Sequence, residues 1–170
     1  MLMKEVFRRR LGWLNEERLR ALDEMEAAAA GHPLKPSQIV DGFFGTLLRL
    51  ADDKQRGGIV FLRLLGRTHT EPSEFIRAFL AHEYAGVMER YKQALFKALP
   101  DVPRAEIVWR FHFMLGATSY AIAGTDALRL VADWEIEALD AVDRVDRLVP
   151  RLMSFLLGGL RAPLPQFEEA

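Results

Sequence analysis

The stretch Val40-Asp-Gly-Phe43-Phe44-Gly-Thr-Leu47-Leu48-Arg-Leu-Ala51 sets its apolar side chains at offsets of 0, 3, 4, 7, 8 and 11, the repeat of one face of an amphipathic α-helix. Pro36, just upstream, has the fixed φ of a good first helical residue. The same period recurs on both sides. Upstream, from about Leu2 to Ala30, Leu11, Leu14, Leu22 and Met25 form one stripe, which Gly31 ends with Pro33 beyond. Downstream, Ile59 to Leu65 carries Arg63 as its one charge; it is short enough for a strand, but its helical neighbours favour a buried helix ending near Gly66 to His69. Pro72 opens the next segment with Glu74 in its first turn, and Ile76, Phe79, Leu80, Val87, Tyr91 and Leu95 continue the pattern up to Pro100. Ile107 to Gly124 is apolar almost all round, with Arg110 its one charge, and predicts a helix buried on more than one side. The last segment runs from about Asp133 to Leu160, with Pro150 expected to kink or split it. Every segment is helical. The expectation is an all-α fold, a six-helix orthogonal or antiparallel bundle over residues 1–163, followed by a flexible tail at 164–170.

Composition agrees with one folded domain. The chain has 170 residues, 50% of them hydrophobic and 28% charged, enough for one core and too few for two. Lys plus Arg total 23 against 24 for Asp plus Glu, a net charge of −1, which is not the footprint of a nucleic-acid-binding surface. With no cysteine, disulfides, thiolate nucleophiles and sulfur-based zinc sites are excluded. The longest uncharged run, Phe111 to Thr125, is 15 residues, short of the 18 or so that mark a membrane span. The opening residues interleave charges and lack a hydrophobic signal core. A cytoplasmic protein with no membrane partner is expected.

Catalytic signatures do not appear. There is no G-x-S-x-G, P-loop, G-x-G-x-x-G or H-E-x-x-H pattern; His82-Glu83 is followed by Gly86 where the second His belongs. Nor is there a Glu-x-x-His pair for a carboxylate-bridged metal bundle. Asp140, Asp143 and Asp146 interleave with Arg144, Arg147 and Arg151, the spacing of a solvated, ion-paired helix face. His69, His82, Glu83 and His112 have metal-compatible donors, but they lie on three helices without ligand spacing. No enzyme activity, cofactor or metal is expected.

The apolar surface of Ile107 to Ile122 and of Leu152 to Leu160 exceeds what a lone domain of this size covers, which predicts a C2 homodimer pairing these helices from each chain. Ile107, Phe111, Leu115, Leu152, Leu156 and Leu160 are the expected interface residues.

Four stretches carry a resemblance: Phe7-Arg-Arg-Arg-Leu-Gly-Trp-Leu-Asn-Glu-Glu-Arg-Leu-Arg-Ala-Leu-Asp23, Gly57-Gly-Ile-Val-Phe-Leu-Arg-Leu-Leu-Gly66, Glu71-Pro72, and Trp109-Arg-Phe-His-Phe-Met-Leu-Gly116. From about Lys4 to Pro163 the chain resembles the ligand-binding and dimerisation domain of TetR-family transcriptional repressors, nearest to a branch that includes fatty-acid-responsive regulators. The resemblance implies a homodimer that senses a small, largely apolar effector, fatty-acyl compounds among the candidates, and controls a DNA-binding domain. The family's N-terminal helix-turn-helix domain has no counterpart in these residues, so DNA is expected to be reached only through an N-terminal domain outside this chain. Phe44, Leu48, Phe61, Leu65, Phe79 and Phe113 are the expected apolar wall of an effector cavity. Arg63, Glu83 and His112, polar groups set in apolar helices, are its expected polar end. A stand-alone helical dimerisation module without effector or DNA binding is the alternative.

Overall fold

A computed structural model of the chain describes residues 2–70, 73–123 and 145–167. Six helices account for the regular structure of the described residues, and no strand occurs among them. Helix α1 is Leu2–Ala29. Helix α2 begins as Pro36–Val40, passes through one π-helical turn at Asp41–Gly45, and ends as Thr46–Arg49. Two 3₁₀ turns, Leu50–Asp52 and Lys54–Arg56, lead into α3, Gly58–Thr70; α4 is Glu74–Ala98, α5 is Arg104–Ala123 and α6 is Val145–Leu160. The all-α expectation holds, and Ile59 to Leu65 is helical as its surroundings predict. The expected first residue of α4, Pro72, lies outside the described residues, as do the expected start of α6 at Asp133 and Asp140, Asp143 and Arg144 of the charged ladder.

The chain organises around α2, which packs against α1, α4 and α6. The sequence predicts a uniform amphipathic helix there; the π turn instead adds a residue to one turn and shifts the register of the turns after it. Gly42 leaves room at this turn for two side chains: a Cβ would lie 2.8 Å from both the Tyr91 hydroxyl and Met25 Cε, so both would have to shift. Ile39 and Leu50 are therefore buried together with Val40, Phe43, Phe44, Leu47, Leu48 and Ala51, and α2 is central, with no broad solvent face.

Chain reversal into α3 uses Gly57 and Gly58, at φ of 100° and 49°, where side-chain-bearing residues are strained. Helix α3 then packs along α5. At Gly66 the two backbones nearly touch, since a Cβ would fall 2.6 Å from Ala123 N and 2.7 Å from Ser119 O. Helix α4 starts with Ser73 as N-cap, its Oγ accepting from Ile76 N at 3.2 Å.

Helix α5 is buried on one face only. Ile107, Phe111, Met114 and Ile122 point inward, whereas Val108, Trp109, Phe113 and Tyr120 are exposed; the expected burial on more than one side is not met among the described residues. Helix α6 continues through Pro150 without splitting. Its Leu152, Leu156 and Leu160 pack inward, and Phe155 faces out. The guanidinium of buried Arg110 closes the C-terminal end of α6, donating from Nη1 to Leu160 O at 2.7 Å and from Nη2 to Pro163 O at 3.4 Å, with Nε donating to Glu106 Oε1 at 2.9 Å. It supplies donors that the last turn of a helix otherwise lacks. No helix among the described residues is long and apolar enough to cross a membrane.

Five of the expected interface residues, Ile107, Phe111, Leu152, Leu156 and Leu160, therefore lie in the chain's own core. The physical reason is that the inward stripes of α5 and α6 cover α2 and each other.

Candidate functional site

The apolar stripe of α1 has one gap, between Leu14 and Leu22, and Arg18 fills it. Its side chain consequently points into the bundle and is 1% exposed. Burying a guanidinium is costly unless its donors are met. Nε donates to Phe43 O at 2.9 Å and Nη1 to Asn15 Oδ1 at 3.2 Å, while the guanidinium carbon stands 3.8 Å from the centre of the Phe43 ring. Asn15 is itself fixed by donating from Nδ2 to Glu83 O at 2.8 Å. No carboxylate pairs with Arg18 among the described residues. Burial pulls its pKa below the usual value, opposed by the neighbouring Tyr84 and Tyr91 hydroxyls.

Arg18 lies in the floor of a cavity of about 490 Å³, with Phe43, Phe44 and Leu47 of α2 beside it. Leu80, Ala81, Tyr84, Ala85 and Met88 of α4 form one wall, and Leu115, Gly116, Thr118 and Ser119 of α5 the other. Polar groups gather at the buried end. Ser119 Oγ is 3.0 Å from His69 Nδ1. Burial, then the Arg18 charge, push the His69 pKa down to about 4, so the ring is neutral. Burial likewise raises the Tyr84 pKa against the pull of Arg18. Thr118 Oγ1 is buried and has no hydrogen-bond partner among the described residues. Toward solvent the lining ends at Ala81, Ala85, His112 and Gly116, all exposed. A smaller cavity of about 290 Å³ continues between α4 and α5, sharing Ala85, Met88, His112 and Leu115 and reaching Lys92 and Val108.

Of the residues nominated from the sequence, Phe44 and His112 line the main cavity. Leu48, Phe61 and Leu65 are buried in the core away from it, Phe61 against Phe7 with ring centres 5.7 Å apart. Phe79 packs against the core from a half-buried position. Arg63 and Glu83 are half-buried and are not part of the lining. Phe113 faces outward, stacked on Trp109 at 5.7 Å. Leu115, an expected interface residue, is part of the cavity wall instead. The polar end thus consists of Arg18, His69, Tyr84, Thr118 and Ser119, of which only His69 stands out in the sequence, and there as a metal donor. Arg18 was detectable as a cation at an inward position of the α1 stripe. Thr118 has no such signal. Among the described residues, no three of His, Asp and Glu gather as a metal site.

On the outside, Trp109, Phe113, Phe155 and Phe167 border a groove of about 660 Å³ between α5, α6 and the segment after Leu160. His112 joins the two features: it lines the cavity mouth, and its ring centre is 6.0 Å from those of both Trp109 and Phe113.

A six-helix bundle with a ligand-sized, mostly apolar cavity and a polar floor defines the class, an all-helical domain of the kind that receives small molecules. The sequence matches the family described as Tetracyclin repressor-like, C-terminal domain, over residues 41–159, and the chain belongs to that family. Domains of this family are regulatory. No curated protein matches the chain. The matched segment runs from the π turn of α2 into α6 and does not include α1 or Arg18.

Proposed function

We propose that residues 1–163 are the effector-binding and dimerisation domain of a TetR-like transcriptional repressor, with 164–170 as its tail. The effector is a small, largely apolar molecule held in the cavity between α4 and α5. The domain acts in the cytoplasm as a homodimer, without catalysis, cofactor or metal, and its response is passed to a helix-turn-helix DNA-binding domain of the regulator. The observation that carries this reading is the position of His112, which borders the cavity and packs against the outward Trp109 and Phe113.

A molecule entering between α4 and α5 displaces the helix that bears the exposed aromatic stripe, and a second copy seated on that stripe feels the displacement. Arg18 ties the cavity floor to α1, the helix nearest the N terminus. An effector that prefers one spacing of α1, α4 and α5 therefore biases a two-state equilibrium read out at the distant end of α1. The exposed stripe takes the place of Ile107, Phe111, Leu152, Leu156 and Leu160 as the dimer face.

Native mass spectrometry at micromolar concentration tests both halves. Dimer mass with a co-purified small molecule, or a thermal shift on adding an amphiphile, supports the reading. A monodisperse monomer that no apolar compound stabilises overturns it, and a dimer that none stabilises leaves only a dimerisation module.

A further inference from the structure

We propose that the cavity takes a monocarboxylate with an apolar tail, head inward, and that Arg18 is the residue that recognises the carboxylate. This deepens the effector-binding reading and rests on it. Phe43 O and Asn15 Oδ1 accept from two of the five N–H groups of the guanidinium. The remaining donors belong to a buried cation with no carboxylate among the described residues to neutralise it, a costly state unless a ligand supplies the anion. Thr118, 2% exposed, borders the same cavity, and its buried Oγ1 has no hydrogen-bond partner among the described residues. Tyr84 and Ser119 add hydroxyls, and the neutral His69 ring puts no second positive charge there.

One positive charge calls for one negative charge. A phosphate dianion would leave excess charge at the buried end. An uncharged alcohol leaves Arg18 unneutralised. Beyond the floor the lining turns apolar, with Leu47, Leu80, Met88 and Leu115, and the smaller cavity prolongs it along α5 to Val108, with Leu95, Ile107 and Phe111 on its inner side and Glu89 and Lys92 at its border. From Ser119 to Val108 is roughly 16 Å at 1.5 Å per residue, room for an extended aliphatic tail. Arginine suits this task because its planar fork meets a carboxylate through two parallel hydrogen bonds.

The test compares dodecanoate with 1-dodecanol by calorimetric titration of the intact chain, and repeats both on Arg18→Met and Thr118→Val. Dodecanoate should bind the unmodified protein at least tenfold more tightly than the alcohol. Arg18→Met should abolish that preference and leave alcohol binding unchanged or improved; Thr118→Val should weaken dodecanoate severalfold. The carboxyl resonance of bound carboxyl-¹³C-dodecanoate gives a measurement that needs no variant: next to a guanidinium it should titrate at a pH about 1 to 3 lower when bound than when free. Equal binding of acid and alcohol, an Arg18→Met protein that keeps the preference, or a bound carboxyl that titrates at or above its free value overturns the proposal while leaving an apolar effector site standing. Failure of both compounds to bind overturns the effector site as well.

Discussion

Arg18 and Phe43 are joined twice: Nε of Arg18 donates to the Phe43 carbonyl at 2.9 Å, and the guanidinium carbon lies 3.8 Å from the centre of the Phe43 ring. The same ring makes edge contacts with Phe44, Tyr91 and Phe111 at 5.0 to 5.1 Å. One side chain of α2 thus holds the cavity's cation and the centre of the core together. Phe43→Leu keeps most of the buried area but removes the ring contacts and the cation's platform, and should cost about 2 kcal/mol in urea unfolding. A loss under about 0.5 kcal/mol would mean that the ring contributes only its volume.

Two glycines should respond in opposite directions. Gly66→Ala sets a methyl group 2.6 to 2.8 Å from backbone atoms of α5, which no rotamer change relieves, so α3 and α5 must separate at a cost of about 1 to 3 kcal/mol. Gly116→Ala meets nothing within 4 Å on an exposed helix face, and should add about 0.5 to 1 kcal/mol by helix propensity. Chemical denaturation of the two variants side by side checks both signs.

The neutral His69 predicts a pH dependence. Its ring titrates near 4 in the folded chain against 6.5 ordinarily, so between those values the unfolded chain binds the extra proton. Stability therefore falls as pH drops from 6.5 toward 4, by up to about 3 kcal/mol, and this contribution is flat above 6.5. His69→Gln removes the titrating ring. Subtracting the two stability profiles cancels the other groups; a difference with no slope between pH 4 and 6.5 would show that the ring is not desolvated by the fold.

For the dimer face, Phe113 and Phe155 are 63% and 68% exposed, whereas Leu156 is 1% exposed. Phe113→Glu combined with Phe155→Glu should give a folded monomer by light scattering, with far-UV circular dichroism unchanged. Leu156→Glu forces a charge into the chain's own core and should cost more than about 3 kcal/mol regardless of assembly. A dimer that survives the double change excludes the aromatic stripe as the interface.

Periodicity determined most of the helices, because burial of one stripe per segment is a local demand written at intervals of three and four residues; Ile59 to Leu65 took its helical reading from its neighbours, and the π turn at Asp41–Gly45 had no signal in the period. Leu11, Leu14 and Leu22 on α1, Val87, Tyr91 and Leu95 on α4, and Phe43, Phe44 and Leu47 on α2 are all inward as that period requires. Periodicity also places Arg18 on an inward stripe, but whether an inward cation meets a carboxylate, a carbonyl or a cavity depends on which helices face it. That is a matter of packing between residues far apart in the chain. For the same reason Phe61 and Phe113, equally apolar, went to opposite fates, one into the core against Phe7 and one onto the surface beside Trp109. The tertiary structure decided that α5 gives its Ile107 face to the core and its Trp109 face to the outside, since a helix apolar all round carries no local signal for which side meets its own chain.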